Sequence, residues 1–282
     1  MRPARTNESD GKVPKRSRPR LLISASDTLS QAKVTKPTAA VKHNFCWRCS
    51  RWISIDVETH DLAPRTERHW EDGRFGHLRR VVKLEHIRAL RIVQVGLTFG
   101  HFDFDSGEAP VTKTYLVKPE GFVISPSATK CHGITQAAAL ELGMEISEAL
   151  RSMFADLKSV LDNGGRVCNH NLEFDAEIIS CEMERAGMHE DDVAAFELAV
   201  HCGMCTMNPV LTKWCCEEFL RATSRYSEVG TNDVPVAMEE LKRVLDVPTQ
   251  ASLQPAHDAG VDSRAVWLVL RELRRMVLED TA

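Results

Sequence analysis

The segment that most constrains the fold is residues 52–59, which read Trp-Ile-Ser-Ile-Asp-Val-Glu-Thr. Apolar and polar residues alternate along it, as on a half-buried β-strand, so Asp56 and Glu58 point to the same face. Two neighbouring carboxylates repel each other unless a proton or a cation lies between them. For an isolated Asp-x-Glu pair, an ordinary amphipathic strand with one solvated face is the better interpretation, so the other segments of the chain must decide whether a cation site is present.

The length and composition indicate one sizeable domain preceded by a basic N-terminal arm, residues 1–50. The 282 residues are 43% hydrophobic, and no apolar run approaches the ~18 residues that a membrane span requires, so we expect no membrane partner. The first 50 residues carry eleven Lys and Arg against three acids (net +8), whereas the remainder carries 25 basic and 37 acidic residues (net −12). Such an arm on an acidic body is typical of contact with nucleic acid or of targeting.

Residues 1–45 are predicted to be a disordered basic tail, because they contain too little apolar surface to offset the entropy lost on ordering. Within the tail, residues 14–20 read Pro-Lys-Arg-Ser-Arg-Pro-Arg, which is compatible with a nuclear localisation or nucleic-acid patch and with a solvated linker. Nine cysteines without a secretory signal indicate a reducing, intracellular compartment, nuclear or cytoplasmic, with organellar targeting left open.

Two C-x-x-C pairs, Cys46/Cys49 and Cys202/Cys205, lie far apart in the sequence. A structural zinc ion needs four ligands, which neither pair supplies alone. Free thiols are therefore the expectation, and a zinc site shared between the pairs is the alternative.

The order of the predicted elements indicates an α/β fold with a mixed sheet flanked by helices. After the first strand, further strands are predicted at 92–99, 112–117, 166–168 and near 205–207. Apolar residues recur at helical spacing over 146–161, 172–186, 236–245 and 260–278. Residues 63–90 are predicted to be a surface insertion with a short helix near their end, and residues 190–230 are ambiguous.

Two later segments place acidic residues at the starts of predicted helices. Residues 170–175 read His-Asn-Leu-Glu-Phe-Asp, with Asp175 in a first helical turn. Residues 257–262 read His-Asp-Ala-Gly-Val-Asp, with His257 in the loop before the last helix and Asp262 in its early turns. Each acid alone is explained by the helix dipole. Together with the acids of the first strand, however, they supply the four carboxylates and one imidazole that a two-metal phosphodiester site requires.

These segments resemble the three motifs of the DEDDh 3′–5′ exonucleases, whose fold is ribonuclease H-like. The motifs are Asp-x-Glu, Phe-Asp after His-Asn, and His-x-Ala-x-x-Asp, and they match residues 56–58, 170–175 and 257–262. Residues 131–135, Cys-His-Gly-Ile-Thr, are similar to a segment of the members that resemble proofreading subunits. The resemblance implies a DEDDh exonuclease domain over residues 51–278, in which the insertion 63–90 is longer than the usual connector.

The resemblance also implies a role for each matching residue. Four carboxylates would hold two Mg²⁺ or Mn²⁺ ions: Asp56, Glu58, Asp175 and Asp262. His257 would be the general base, and the neighbouring Asp258 would either tune its imidazole or cap the last helix. Five residues would contact the substrate: Thr59, His60, His132, Asn171 and Phe174, the last with core packing as its alternative.

The implied reaction is hydrolysis of single-stranded or 3′-ended DNA or RNA from the 3′ end, with release of nucleoside 5′-monophosphates. Two alternatives are a nucleic-acid-binding or scaffold module that retains the fold, and an RNase H-like endonuclease. The four acids argue against the scaffold, since clustered carboxylates without a cation would destabilise it.

Overall fold

The computed structural model describes residues 47–63, 70–72, 78–80, 84–102, 109–208, 211, 215, 236–247 and 257–280. The predicted tail (1–45), its basic patch (14–20) and Cys46 lie outside these residues. None of the described helices combines the length and the apolar character needed to cross a membrane.

The described residues form the following elements in chain order: β1 (Arg51–Thr59), β2 (Trp70–Asp72), β3 (Leu78–Arg80), α1 (Leu84–Ala89), β4 (Ile92–His101), β5 (Val111–Leu116), α2 (Pro126–His132), α3 (Gln136–Leu142), α4 (Ile146–Asp162), β6 (Arg166–Asn169), α5 (Leu172–Arg185), α6 (Glu190–His201), β7 (Met204–Cys205), α7 (Met238–Val244) and α8 (Ala259–Glu279).

A five-stranded mixed sheet in the order β5-β4-β1-β6-β7 organises these elements. Strand β4 is antiparallel to both β1 and β5, whereas β6 is parallel to β1 and β7 is parallel to β6. Strand β1 is therefore central, and its last residues lie where neighbouring elements converge. The predicted mixed sheet is confirmed, and β1, β4 and β5 form an antiparallel meander within it.

The alternation along β1 gives the sheet two buried faces. Ile53, Ile55 and Val57 belong to an apolar core that includes buried residues of α4 and α5. Trp52 belongs to a second core with Trp267 of α8, whose indole N–H donates to the Trp52 carbonyl at 3.3 Å. Because alternate residues of a strand share a face, Asp56 and Glu58 lie on the face that α8 covers.

Helix α8 approaches β4 so closely that a side chain at Gly96 has no room. A Cβ atom there would lie 2.0 Å from both the carbonyl carbon and the oxygen of Ala259. One helical turn further on, Thr98 Oγ1 lies 3.0 Å from Ser263 Oγ, which ties the strand to the helix. This contact fixes the start of α8 relative to the central strands.

Most predicted helices are present with small differences at their ends. Five apolar residues of α8 recur at helical spacing and are buried: Val266, Val269, Leu270, Leu273 and Val277. Thr135 caps α3, because its side chain accepts a hydrogen bond from the Ala138 amide. Helix α4 begins after Glu145.

Two regions contain structure that the sequence patterns did not reveal. Helix α6 occupies the first part of the ambiguous residues 190–230, and His189 caps it by accepting from the Asp191 amide at 3.2 Å. The insertion 63–90 contains the expected short helix, α1, and also an antiparallel pairing of β2 with β3. Strand β7 begins at Met204, one residue before the predicted segment.

Candidate metal centre

The predicted acidic residues converge at the end of β1. One ligand atom each from Glu58, His257 and Asp262 lies within 4.8 Å of the other two. Asp175 joins the strand from α5, because its Oδ1 accepts a hydrogen bond from the Val57 amide at 3.3 Å. Asp56 lies within electrostatic range of all three of the other acids. The structure therefore brings together residues that are separated by more than two hundred positions in the sequence.

Local backbone geometry positions Asp175. Asn171, just before α5, adopts the left-handed conformation with φ 62°, which turns the chain from β6 into the helix. Asn is among the few residues other than Gly that tolerate this region. The buried Asn169 at the end of β6 then donates from Nδ2 to Asp175 Oδ2 at 2.8 Å. Both carboxylate oxygens of Asp175 are thus held from the sheet side.

A second left-handed residue positions the start of α8. His257 has φ 66°, and the next residue, Asp258, caps the helix by accepting from the Val261 amide at 3.0 Å. The predicted capping role of Asp258 is confirmed. The His257 side chain is 59% exposed, and its Nδ1 lies 3.9 Å from Asp262 Oδ2. This separation is too long for a hydrogen bond, but it is short enough for a protonated imidazole to be stabilised by the carboxylate.

Burial and mutual repulsion raise the pKa of every carboxyl in the cluster. Loss of hydration is the main cause for each of the four acids, and neighbouring carboxylates add to it. The pKa of Glu58 rises to about 9, whereas His257 and Lys242 partly offset the rise for Asp262. Carboxyl groups with such raised pKa values stay largely protonated without a cation, and they lose their protons readily when bound cations neutralise the negative charge.

The chemistry of these side chains fits hard divalent cations. Magnesium and manganese prefer carboxylate oxygens, and the cluster supplies four carboxylates with one imidazole at its exposed edge. Among the described residues, the group formed by Glu58, His257 and Asp262 has the ligand spacing of a metal site.

Two of the predicted substrate residues, Thr59 and His132, interact with each other. His132 is 3% exposed, and its Nδ1 accepts from the Ile134 amide at 3.0 Å. Its Nε2 is therefore the protonated nitrogen and donates to the Thr59 carbonyl at 3.2 Å. Burial lowers the pKa of His132, and nearby His257 lowers it further. The structure thus places His132 beneath Thr59, with both ring nitrogens occupied by the protein.

His60 lies beside the same loop and is held on several sides. Its Nδ1 accepts from the Arg91 amide at 3.1 Å, and its ring meets the edge of Phe122 at 5.2 Å between centroids. Burial is the main reason that its pKa is lowered. Of the other two predicted contacts, Asn171 is half-buried at the start of α5, and Phe174 packs against the core that contains Ile53.

Three residues at the site had not been predicted from the sequence. Gln94 of β4 donates a hydrogen bond to Asp258 at the start of α8, and Lys242 of α7 lies close enough to lower the pKa of Asp262. Cys131, next to His132, has a raised pKa because of burial and the charges of Glu58 and Asp262. The sequence contains a signal that could have identified Gln94, because its amide side chain interrupts a nearly continuous apolar strand.

The described cysteines do not form a cluster of metal ligands. Cys49 donates to the Arg51 carbonyl at 3.1 Å, Cys202 is exposed, and Cys205 is buried. Burial raises the pKa of Cys205 to about 11, which keeps it a thiol at neutral pH. Cys202 and Cys205 are free thiols.

Comparison with known proteins identifies the fold. No protein-family model matches the chain, and no curated protein sequence matches it. Among solved structures, apo exonuclease I is similar with a TM-score of 0.51 and 14% identity, covering 82% of this chain and 44% of that one. Product-bound exonuclease I gives a TM-score of 0.50 at 14% identity over 82% of this chain and 46% of that one. A structure described as SSB/exonuclease I with the inhibitor CFAM gives 0.50 at 15% identity over 82% and 44%.

The chain therefore has the α/β fold of exonuclease I, a mixed sheet flanked by helices, and the predicted ribonuclease H-like fold is confirmed. It spans less than half the length of these exonuclease I chains.

Proposed function

We propose that the chain is a DEDDh-type, metal-dependent 3′–5′ exonuclease, with its catalytic domain over residues 51–278. The observation that carries the proposal is the convergence of Asp56, Glu58, Asp175 and Asp262 beside His257 on the fold of exonuclease I. One buried and three half-buried acids with raised pKa values are costly for a fold to retain, which is understandable if they hold cations.

The four carboxylates would hold two Mg²⁺ or Mn²⁺ ions, with Asp56, the residue within range of all the others, as the bridging ligand. When bound, such ions activate a water molecule and stabilise the oxygen that leaves in an in-line displacement. Asp175 enters this arrangement already oriented, since the Asn169 amide group and the Val57 amide hold its two oxygens.

His257 would act as the general base. Its imidazole is exposed at the edge of the cluster, where it can accept a proton from the water that attacks phosphorus. The bond between phosphorus and the 3′ oxygen of the preceding nucleotide then breaks, and that oxygen takes a proton from solvent. The products are a nucleoside 5′-monophosphate and a strand shorter by one nucleotide. Asp262, 3.9 Å from His257 Nδ1, stabilises the imidazolium that forms.

The substrate is proposed to be single-stranded or 3′-ended DNA or RNA. The loop that follows Glu58 would bind the 3′-terminal nucleotide through Thr59 and His60, and His132 would support this loop by holding the Thr59 carbonyl. Asn171 and Phe174 would border the same pocket from α5. The similarity of the fold to exonuclease I, one structure of which is described as SSB/exonuclease I, supports a nucleic-acid substrate.

The test is digestion of oligonucleotides with a 5′ label, in DNA and RNA, single-stranded and double-stranded, with Mg²⁺ or Mn²⁺. We expect a ladder that shortens from the 3′ end and is abolished by Asp56→Asn. The matched control is Asp162→Asn, which makes the same chemical change at an exposed ion pair with Lys158 on α4. Equal inactivity of the wild type and Asp56→Asn on every substrate and metal would rule the proposal out, and cleavage of a circular strand would indicate an endonuclease.

A further inference from the structure

Gln94 lies on β4, between β1, which carries the proposed ligand Glu58, and the loop that carries His257. Its backbone pairs with that of Glu58 in the β1–β4 register, so the two residues lie side by side on neighbouring strands. The Gln94 side chain is 7% exposed and belongs to a strand whose other buried residues are almost all apolar. A buried amide in such a strand needs partners, because an unpaired one is costly.

Both ends of the Gln94 amide bind the residues directly after His257. Its Nε2 donates to Asp258 Oδ2 at 3.1 Å, and its Oε1 accepts from the Ala259 amide at 2.9 Å. The remaining Asp258 oxygen, Oδ1, accepts from the Val261 amide at 3.0 Å. Three hydrogen bonds thus form a set that joins Gln94, Asp258 and the first turn of α8. We call this set the Gln94–Asp258 clamp.

The clamp acts next to a backbone conformation that needs support. His257 has φ 66°, a value that residues other than glycine adopt infrequently, and its side chain is largely exposed. Such a conformation persists when the surrounding structure determines it. The clamp holds the side chain of Asp258 and the backbone amide of Ala259, the two residues that follow His257. Because Gln94 pairs with Glu58, the clamp also links these two residues to a proposed metal ligand.

We infer that Gln94 is a positioning residue, which sets the His257 imidazole relative to Glu58 and thereby the rate of proton transfer. The inference rests on the proposed function. It assigns no contact with the substrate to Gln94, since both ends of the amide are used within the protein. A displacement of about 1 Å in a catalytic group costs up to ~10²-fold in rate, so the clamp matters for turnover more than for substrate affinity.

The hydrogen bonds allow a swap experiment. Gln94→Glu brings two carboxylates face to face, and Asp258→Asn leaves two donors facing each other for any orientation of either amide. The double variant Gln94→Glu with Asp258→Asn restores all three bonds: the new Asn donates to the new Glu, the Ala259 amide donates to the same Glu, and the Asn oxygen still caps α8. It also keeps the total charge.

We expect each single variant to lower kcat by about 10-fold to 10²-fold, with KM within about twofold of the wild type, and the double variant to recover kcat to within about threefold. The matched control is Thr98→Val, which removes the hydrogen bond to Ser263 between the same strand and helix, four residues further along β4. If Thr98→Val lowers the melting temperature as much as Gln94→Glu does but leaves kcat near that of the wild type, the clamp acts on positioning and not on stability alone.

A second measurement does not depend on activity. The NMR signal of the His257 ring, assigned by its loss in His257→Gln, should broaden at substoichiometric Mn²⁺ in the wild type and in the double variant. In each single variant it should broaden less, because the ring moves away from the ion. Equal broadening in all variants, or a double variant as slow as the single ones, overturns the inference. An inactive wild type whose His257 signal still follows this pattern would contradict the proposed function and leave the clamp supported.

Discussion

At the scale of single residues, the two acids of β1 are explained by what surrounds them. Asp56 and Glu58 point to one face because strand residues alternate, and burial against α8 then raises the pKa of both. Asp175 and Asp262 add to the repulsion from other elements. The folded chain without metal is therefore under an electrostatic strain that a cation or a proton relieves.

Replacing Glu58 by Gln should separate stability from function. The amide has the shape of the protonated acid but cannot ionise, so the metal-free protein at pH 8 should become more stable by about 1–2 kcal/mol, less than the full effect of the pKa shift because water screens a partly exposed group. Nuclease activity and Mn²⁺ binding should be lost. Urea unfolding in EDTA measures the first effect. A destabilised Glu58→Gln protein would contradict the assignment, and Glu120→Gln, at an exposed ion pair with Lys118, controls for the chemical change.

At the scale of elements, the site depends on how closely α8 approaches β4. The contact at Gly96 leaves no space for a methyl group, since Ala259 lies 2.0 Å from the position of a Cβ atom. The same approach lets Gln94 reach the helix start and lets Asp262 face β1. The glycine in the predicted strand Ile92–Phe99 is thus required by packing and not by a turn.

We expect Gly96→Ala to destabilise the protein by about 3 kcal/mol, because neither backbone can move without disturbing the sheet or the helix start. Gly100→Ala on the same strand is the matched control: its Cβ would meet Pro110 and Trp267 at 3.3 and 3.4 Å. Neighbours at that distance need to yield only slightly, so the cost should stay below about 1 kcal/mol. Chemical unfolding of both variants tests the difference, and similar midpoints would mean that α8 approaches β4 less closely.

At the scale of the whole molecule, the acidic cluster couples folding to pH and to metal. Its carboxyls have folded-state pKa values above their ordinary values, so the folded chain holds protons more tightly than the unfolded chain. The stabilisation by bound protons is complete below the ordinary pKa of about 4. It is lost as the pH rises toward the folded pKa of Glu58, about 9.

The melting temperature in EDTA should therefore fall between about pH 5 and pH 9. Saturating Mn²⁺ or Mg²⁺ should remove most of this fall, because the ions replace the protons, and the gain from metal should be larger at pH 8 than at pH 6. Thermal unfolding across this range, with and without metal, tests the coupling. The melting temperature of the Asp56→Asn protein should depend less on pH and less on metal. A pH profile of the wild type that metal leaves unchanged would contradict the predicted coupling.

The sequence by itself predicted which acids converge at the end of β1 and which elements carry them. The alternation in β1, the helical spacing of α4, α5 and α8, and the three motifs all depend on neighbours within a few positions, where backbone periodicity dictates which side chains share a face. Helix α6 was missed because its short apolar pattern does not distinguish it from other segments of residues 190–230.

Only the tertiary structure decided the distances and the electrostatics. The raised pKa of Glu58, the place of His132 beneath Thr59 and the bond between Gln94 and Asp258 all join residues far apart in the chain. Strand register and the approach of α8 to β4 create these contacts, and both result from packing of the whole domain. Residue spacing in the sequence therefore predicted which acids come together. Packing of the domain determined how strongly these acids repel each other and how His257 is held beside them.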